Sequence, residues 1–106
     1  MLFRSGEGLY PFGDRNVIVK DGVAWLPDFE TFAGSVATPD VCIRTVTQKA
    51  GIRLVDAVKM MTLTPARLCG LEHLKGSISA GKDADIILFD KDINIRNIFK
   101  KGIAVI

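Results

Sequence analysis

The dipeptide Thr-Pro occurs twice in this chain, and each time a glycine closes the segment it opens. Thr38-Pro39 begins "TPDVCIRTVTQKAG", which ends at Gly51; Thr64-Pro65 begins "TPARLCG", which ends at Gly70. A threonine hydroxyl can cap a helix. Proline suits the first helical position, where its missing N–H would have no partner anyway, and glycine adopts the left-handed conformation that stops a helix. Asp40 falls in the first turn, at the positive end of the first helix. Cys42, Ile43, Val46 and Ala50 keep helical spacing as far as Gly51. Leu54, Val55, Val58 and Met61 give a second helix with one apolar face. In the third, Thr64 caps, Pro65 starts and Gly70 ends. Residues 38–71 therefore read as three helices with short connections.

On either side the pattern is β. In "NVIVKDGVAWL", Val17–Val19 and Val23–Leu26 flank Lys20-Asp21-Gly22. Asp-Gly between such runs signals a hairpin with a type I′ turn, which requires positive φ. Residues 1–15, with Gly6, Gly8, Pro11 and Gly13, read as loop. Beyond the helices, "ADIILFD" reads as a buried strand. "INIRNIF" and "IAVI" form a hairpin around "KKG", and Asp90–Lys91–Asp92 links the two features. The fold class is α/β.

A chain of 106 residues is one small domain or a piece of a larger one. Its 48% hydrophobic content suffices for a core, although so short a chain leaves much of its surface exposed. A net charge of +2, from 14 basic and 12 acidic residues scattered along the chain, gives no nucleic-acid footprint. No apolar run approaches the ~18 residues of a membrane span. "MLFRSGEG" lacks the apolar core of a signal peptide, so the cytoplasm is the expected compartment. Cys42 and Cys69 lie in apolar segments and are expected to be buried free thiols.

The chemical inventory is thin. Lys82, Asp83 and Asp85 sit in a glycine-containing turn before a strand, where a lysine–carboxylate pair orients the turn. The only histidine, His73, lies beside Glu72 in a polar turn and reads as solvated. A hydrolytic metal site needs roughly three protein ligands, and neither those nor a nucleophile motif is recognisable. No residue is assigned as catalytic or as a metal ligand. One stretch remains, "ETFAGSVATPD", residues 30–40. Ala33, Gly34 and Ser35 are small enough for a ligand to approach the backbone closely, and a helix N-terminus follows. A plain tight loop feeding an N-cap accounts for the same residues.

"TLTPARLCGLEHLKGSISAGKDADIILFD" resembles the C-terminal signature of the amidohydrolase superfamily. With "VIVKDGVAWL", "FAGSVATPD" and "AGIRLVDAVKMMTLTPARLCGL", the chain from residue 16 onward is similar to the N-acetylglucosamine-6-phosphate deacetylase family. The resemblance implies a fragment of a (β/α)8 amidohydrolase barrel with its terminal helices, plus the C-terminal strands of the accompanying small β-sandwich. Residues 1–71 would be the barrel part, with an inserted β-hairpin at 17–26 near the active-site mouth and helices within 38–71. Residues 72–106 would be sandwich strands, and "GKDAD" the lead-in to one of them, away from the chemistry. The implied reaction is metal-dependent hydrolysis of N-acetylglucosamine 6-phosphate to glucosamine 6-phosphate and acetate. The implied cofactor is a divalent metal, zinc or iron, in the full-length protein. The family's metal ligands and catalytic aspartate have no counterpart here, so no metal is expected on this chain and the chain alone is expected to be inactive. Phe32, Ala33 and Gly34 match the family's substrate-contacting loop. The implied partners are the amino-sugar phosphate and, because helix faces and strand edges would be left open, further copies of the chain; nucleic acid and membrane are not among them. Two other readings stay open: an amidohydrolase acting on a cyclic amide or nucleobase, and a non-catalytic oligomerising module.

Overall fold

A computed structural model describes residues 6–106. They form two compact units, the first ending at Thr38 and the second beginning at Pro39.

The first unit is an antiparallel sheet of four sequential strands, β1 (Gly8–Phe12), β2 (Arg15–Lys20), β3 (Val23–Trp25) and β4 (Phe32–Gly34). Its core follows from the alternation of β2. Val17 and Val19 point the same way and are buried with Ala24 of β3, and Tyr10, Leu26, Ala33 and Val36 pack around them. Asp21 and Gly22 connect β2 to β3 with φ of +53° and +74°, as a type I′ turn demands, and this sets the pairing of Lys20 with Val23.

Residues 8–12 are strand, not the loop that the Gly and Pro content of residues 1–15 suggests; residues 1–5 of that stretch lie outside the described residues. Edge position resolves the conflict. β1 is the outermost strand, and Pro11 pairs with Asn16 there without removing a hydrogen bond needed on both sides. Tyr10 then packs on the β2 valines, and its hydroxyl donates to the Gly6 carbonyl at 2.9 Å.

The second unit has three helices, α1 (Pro39–Gln48), α2 (Leu54–Met61) and α3 (Leu63–Leu68). A three-stranded antiparallel sheet follows, β5 (Ile86–Phe89), β6 (Ile95–Lys100) and β7 (Ile103–Ala104). Gly51, at φ +67°, stands just beyond α1, and the Ile52 N–H donates to the Val46 carbonyl there. The third helix begins at Leu63, before Pro65, so Thr64 is inside the first turn and does not cap it. The residue at the cap is Thr62. Its hydroxyl donates back to the Val58 carbonyl at 2.7 Å, because a single residue separates α2 from α3. Pro65 still lies within the first turn, where a missing N–H leaves no bond unmade.

Arg44 fastens α1 to the loop before β6. Its guanidinium donates to the Ile93 carbonyl at 2.9 Å and the Asp92 carbonyl at 3.2 Å. Ile93 has φ +63°, a conformation costing about 1–2 kcal/mol for a side chain with a β-branch. It is buried all the same; with Ala57 it makes up the fully buried apolar residues described in this unit. β5 is not the buried strand its composition suggests. Ile87 and Leu88 are half exposed, because β5 is an edge strand that is apolar on both faces. The two cysteines are free, but only Cys42 is partly buried. Cys69, at the C-cap of α3, is exposed.

Gly76 tests the packing of the turn that follows α3. At φ +92°, a Cβ there would lie 2.8 Å from the Ala66 Cβ and 3.0 Å from the Leu63 Cα. Gly81 has a similar φ of +86° with open space around it. Gly76→Ala should destabilise the protein by about 2–4 kcal/mol, backbone strain plus overpacking, and Gly81→Ala by only about 1–2 kcal/mol. Chemical denaturation followed by circular dichroism measures both, and equal losses would contradict the packing described.

Candidate functional site

"FAG" is a strand with a defect. Trp25 pairs with Phe32 and Ala24 with Gly34, which leaves Ala33 as a bulged residue in β4. A bulge re-aims the side chains beside it. The loop leading in is stiff. The Asp28 carboxylate accepts the backbone N–H groups of Glu30 at 2.8 Å and Thr31 at 3.0 Å, and the Thr31 hydroxyl at 3.2 Å. Those backbone bonds hold the Asp28 carboxyl below the usual carboxylate range. The Leu26 N–H closes the loop on the Thr31 carbonyl at 2.8 Å.

The rings of Phe32 and Trp25 stack at 4.8 Å in a tilted arrangement, and Phe32 remains 71% exposed. Phe32 and Ala33 border a cleft of about 530 Å³ with Phe12, Arg15, Val17 and Leu26 among its other walls. Two of the three expected ligand-contacting residues therefore come together at one concave surface. Gly34 is outside that lining. Its φ of +153° is one that L side chains rarely adopt, and a Cβ added there would meet nothing within 4 Å. Ser35, the next residue, spends its hydroxyl locally, accepting the Ala37 N–H at 3.1 Å.

Arg15 went unnoticed in the sequence. Strand alternation carries the signal, because Arg15 is two residues before Val17 and so shares its face, at the rim of the apolar patch. Its Nε lies 4.0 Å from the Asp14 carboxylate, with both side chains well exposed. Apolar ring faces beside a guanidinium can hold a ligand with an apolar part and an anionic part. Asp14 and Thr31 also line the cleft, but the Thr31 hydroxyl donates to Asp28 and the Asp14 carboxylate lies beside Arg15, so no nucleophile–base pair is assembled there.

The "GKDAD" turn is an ion cluster, with a partner different from the one its spacing suggests. Lys75, not Lys82, meets the carboxylates: its ammonium bonds Asp83 at 2.8 Å and also Asp85. Lys82 reaches the Ser77 hydroxyl at 2.8 Å. The Asp83 hydrogen bond, then that of Asp85, raises the Lys75 pKa. Lys75, then the Lys101 N–H, lowers that of Asp85. These charges neutralise one another and fasten the turn to the β6–β7 hairpin through Lys101, whose N–H donates to Asp85 at 2.9 Å. Asp90 does similar work before β6. Its carboxylate accepts the backbone and side-chain N–H groups of Asn94, the Asp92 N–H and the Arg96 guanidinium at 2.6 Å. Those bonds, Asn94 foremost, bring its pKa to about 2.

His73 is exposed. Among the described residues no three His, Cys, Asp or Glu side chains gather in a way that could hold a metal ion. The donor set for a catalytic metal is not found in these residues, and no hydrolytic step is assigned to them.

The amidohydrolase family model matches residues 12–105. N-acetylglucosamine-6-phosphate deacetylase from Rattus norvegicus is 35% identical over 97 residues, covering 92% of this chain and 24% of the relative. The crystal structure of the deacetylase of that name from Pasteurella multocida superposes with a TM-score of 0.85 at 28% identity, covering 91% of this chain and 25% of that one. A mutant of the Mycobacterium smegmatis enzyme in complex with N-acetyl-D-glucosamine-6-phosphate gives a TM-score of 0.83 at 29% identity, covering 98% and 28%. The chain spans about a quarter of the length of these relatives.

The acidic turns carry a pH signature. Asp90 binds its proton less readily folded, with a pKa of about 2, than unfolded, near 3.9. Its contribution to stability is complete above about pH 4 and is lost as the pH falls through about 2. Between those values the parent should therefore lose stability more steeply than Asp90→Asn, as measured by urea denaturation; parallel slopes would refute the assignment. Lys75→Met, which strips two carboxylates of their cation, should lower Tm more than Lys82→Met.

Proposed function

This chain belongs to the amidohydrolase family, and from that premise we propose that it is the part of an N-acetylglucosamine-6-phosphate deacetylase that forms one wall of the substrate pocket and part of the scaffold. Residues 1–71 are the closing part of the (β/α)8 barrel, with the 17–26 hairpin beside the active-site mouth. Residues 72–106 contribute strands to the small β-sandwich. The reaction of the whole enzyme is hydrolysis of the N-acetyl amide, giving glucosamine 6-phosphate and acetate. Amidohydrolases generally use a divalent metal, here zinc or iron, which polarises the carbonyl and activates water when bound. The described residues do not fit it, so its ligands and the catalytic base belong to the rest of the longer protein. The cytoplasm is the proposed compartment, since a sugar phosphate is too polar to cross a membrane unaided.

The observation that carries the reading is the bulged β4, which brings Phe32 and Ala33 to the edge of a concave surface. Gly34 supports it. Open space where a side chain would stand, on a backbone that favours glycine, suits a ligand lying against the main chain. The role of the chain is to position: ring faces and backbone orient the sugar while the remaining parts of the enzyme carry the proton transfers.

In the full-length deacetylase carrying this segment, Gly34→Val should raise KM for N-acetylglucosamine 6-phosphate. It should also lower kcat/KM at least tenfold, about 1.4 kcal/mol of transition-state binding. Lys82→Ala should leave both constants nearly unchanged. Turnover of dihydroorotate or adenine in place of the amino-sugar phosphate would overturn the substrate, and a silent Gly34→Val would overturn the placement of the pocket wall.

A further inference from the structure

We draw no further inference here: the strongest candidate, the Arg15 guanidinium beside the Phe12 and Phe32 rings in the cleft of the first unit, belongs to the site already described, and its charge is faced by the Asp14 carboxylate at 4.0 Å.

Discussion

Lys75 stands between Asp83 and Asp85, and that contact ties three parts of the second unit together. The lysine follows the turn that leaves α3; Asp85 immediately precedes β5; and its other oxygen accepts the Lys101 N–H at the tip of the β6–β7 hairpin. One ammonium thus links the helical half, the start of the sheet and its far turn. The Gly102 N–H adds a backbone bond to the Ala84 carbonyl at 3.0 Å in the same place. These ties lie at the surface, so they fix the geometry of the turn and hairpin more than they add to stability. Arg44 plays the parallel part on α1, where it grips the carbonyls on either side of the Asp92–Ile93 peptide and keeps Ile93 in a strained but buried position.

Local signals were the ones the sequence made readable. Asp21-Gly22 and Lys101-Gly102 turn where glycine-bearing dipeptides between β-rich runs place them, because such turns need positive φ and few residues tolerate it. The three helices lie between Pro39 and Leu68, with glycine just beyond the first and the third. The misreadings arose where a neighbour decides. Gly8 and Pro11 look like loop formers until β2 lies beside them, and then an edge position accommodates both. Thr64 looks like a cap until α2 ends one residue before α3 begins. Lys82 looks like the partner of Asp83, being next to it, but adjacent side chains in a turn diverge and Lys75 reaches in from eight residues away.

The site divides in the same way. Small residues at 33 and 34 suggested a place of close approach; the cleft borders Phe32 and Ala33, and Gly34 lies outside its lining. What no local pattern announces is the bulge at Ala33, which exists only against β3; Arg15 reaches the same cleft from β2, two strands away, on the face that strand alternation gives it. The chain belongs to the amidohydrolase family and spans about a quarter of the relatives' length, and among the described residues no metal-ligand set is grouped. A substrate wall can be contributed by a strand bulge and its neighbours, whereas a metal site needs ligands converging from several elements.

The claim that β4 is the substrate wall can be measured directly by amide hydrogen exchange in the full-length enzyme, with and without N-acetylglucosamine 6-phosphate. Binding should slow exchange at Phe32, Ala33 and Gly34 while leaving Asp83 and Asp85 as they were. Protection at the Asp83–Asp85 turn with none at Phe32–Gly34 would contradict the account.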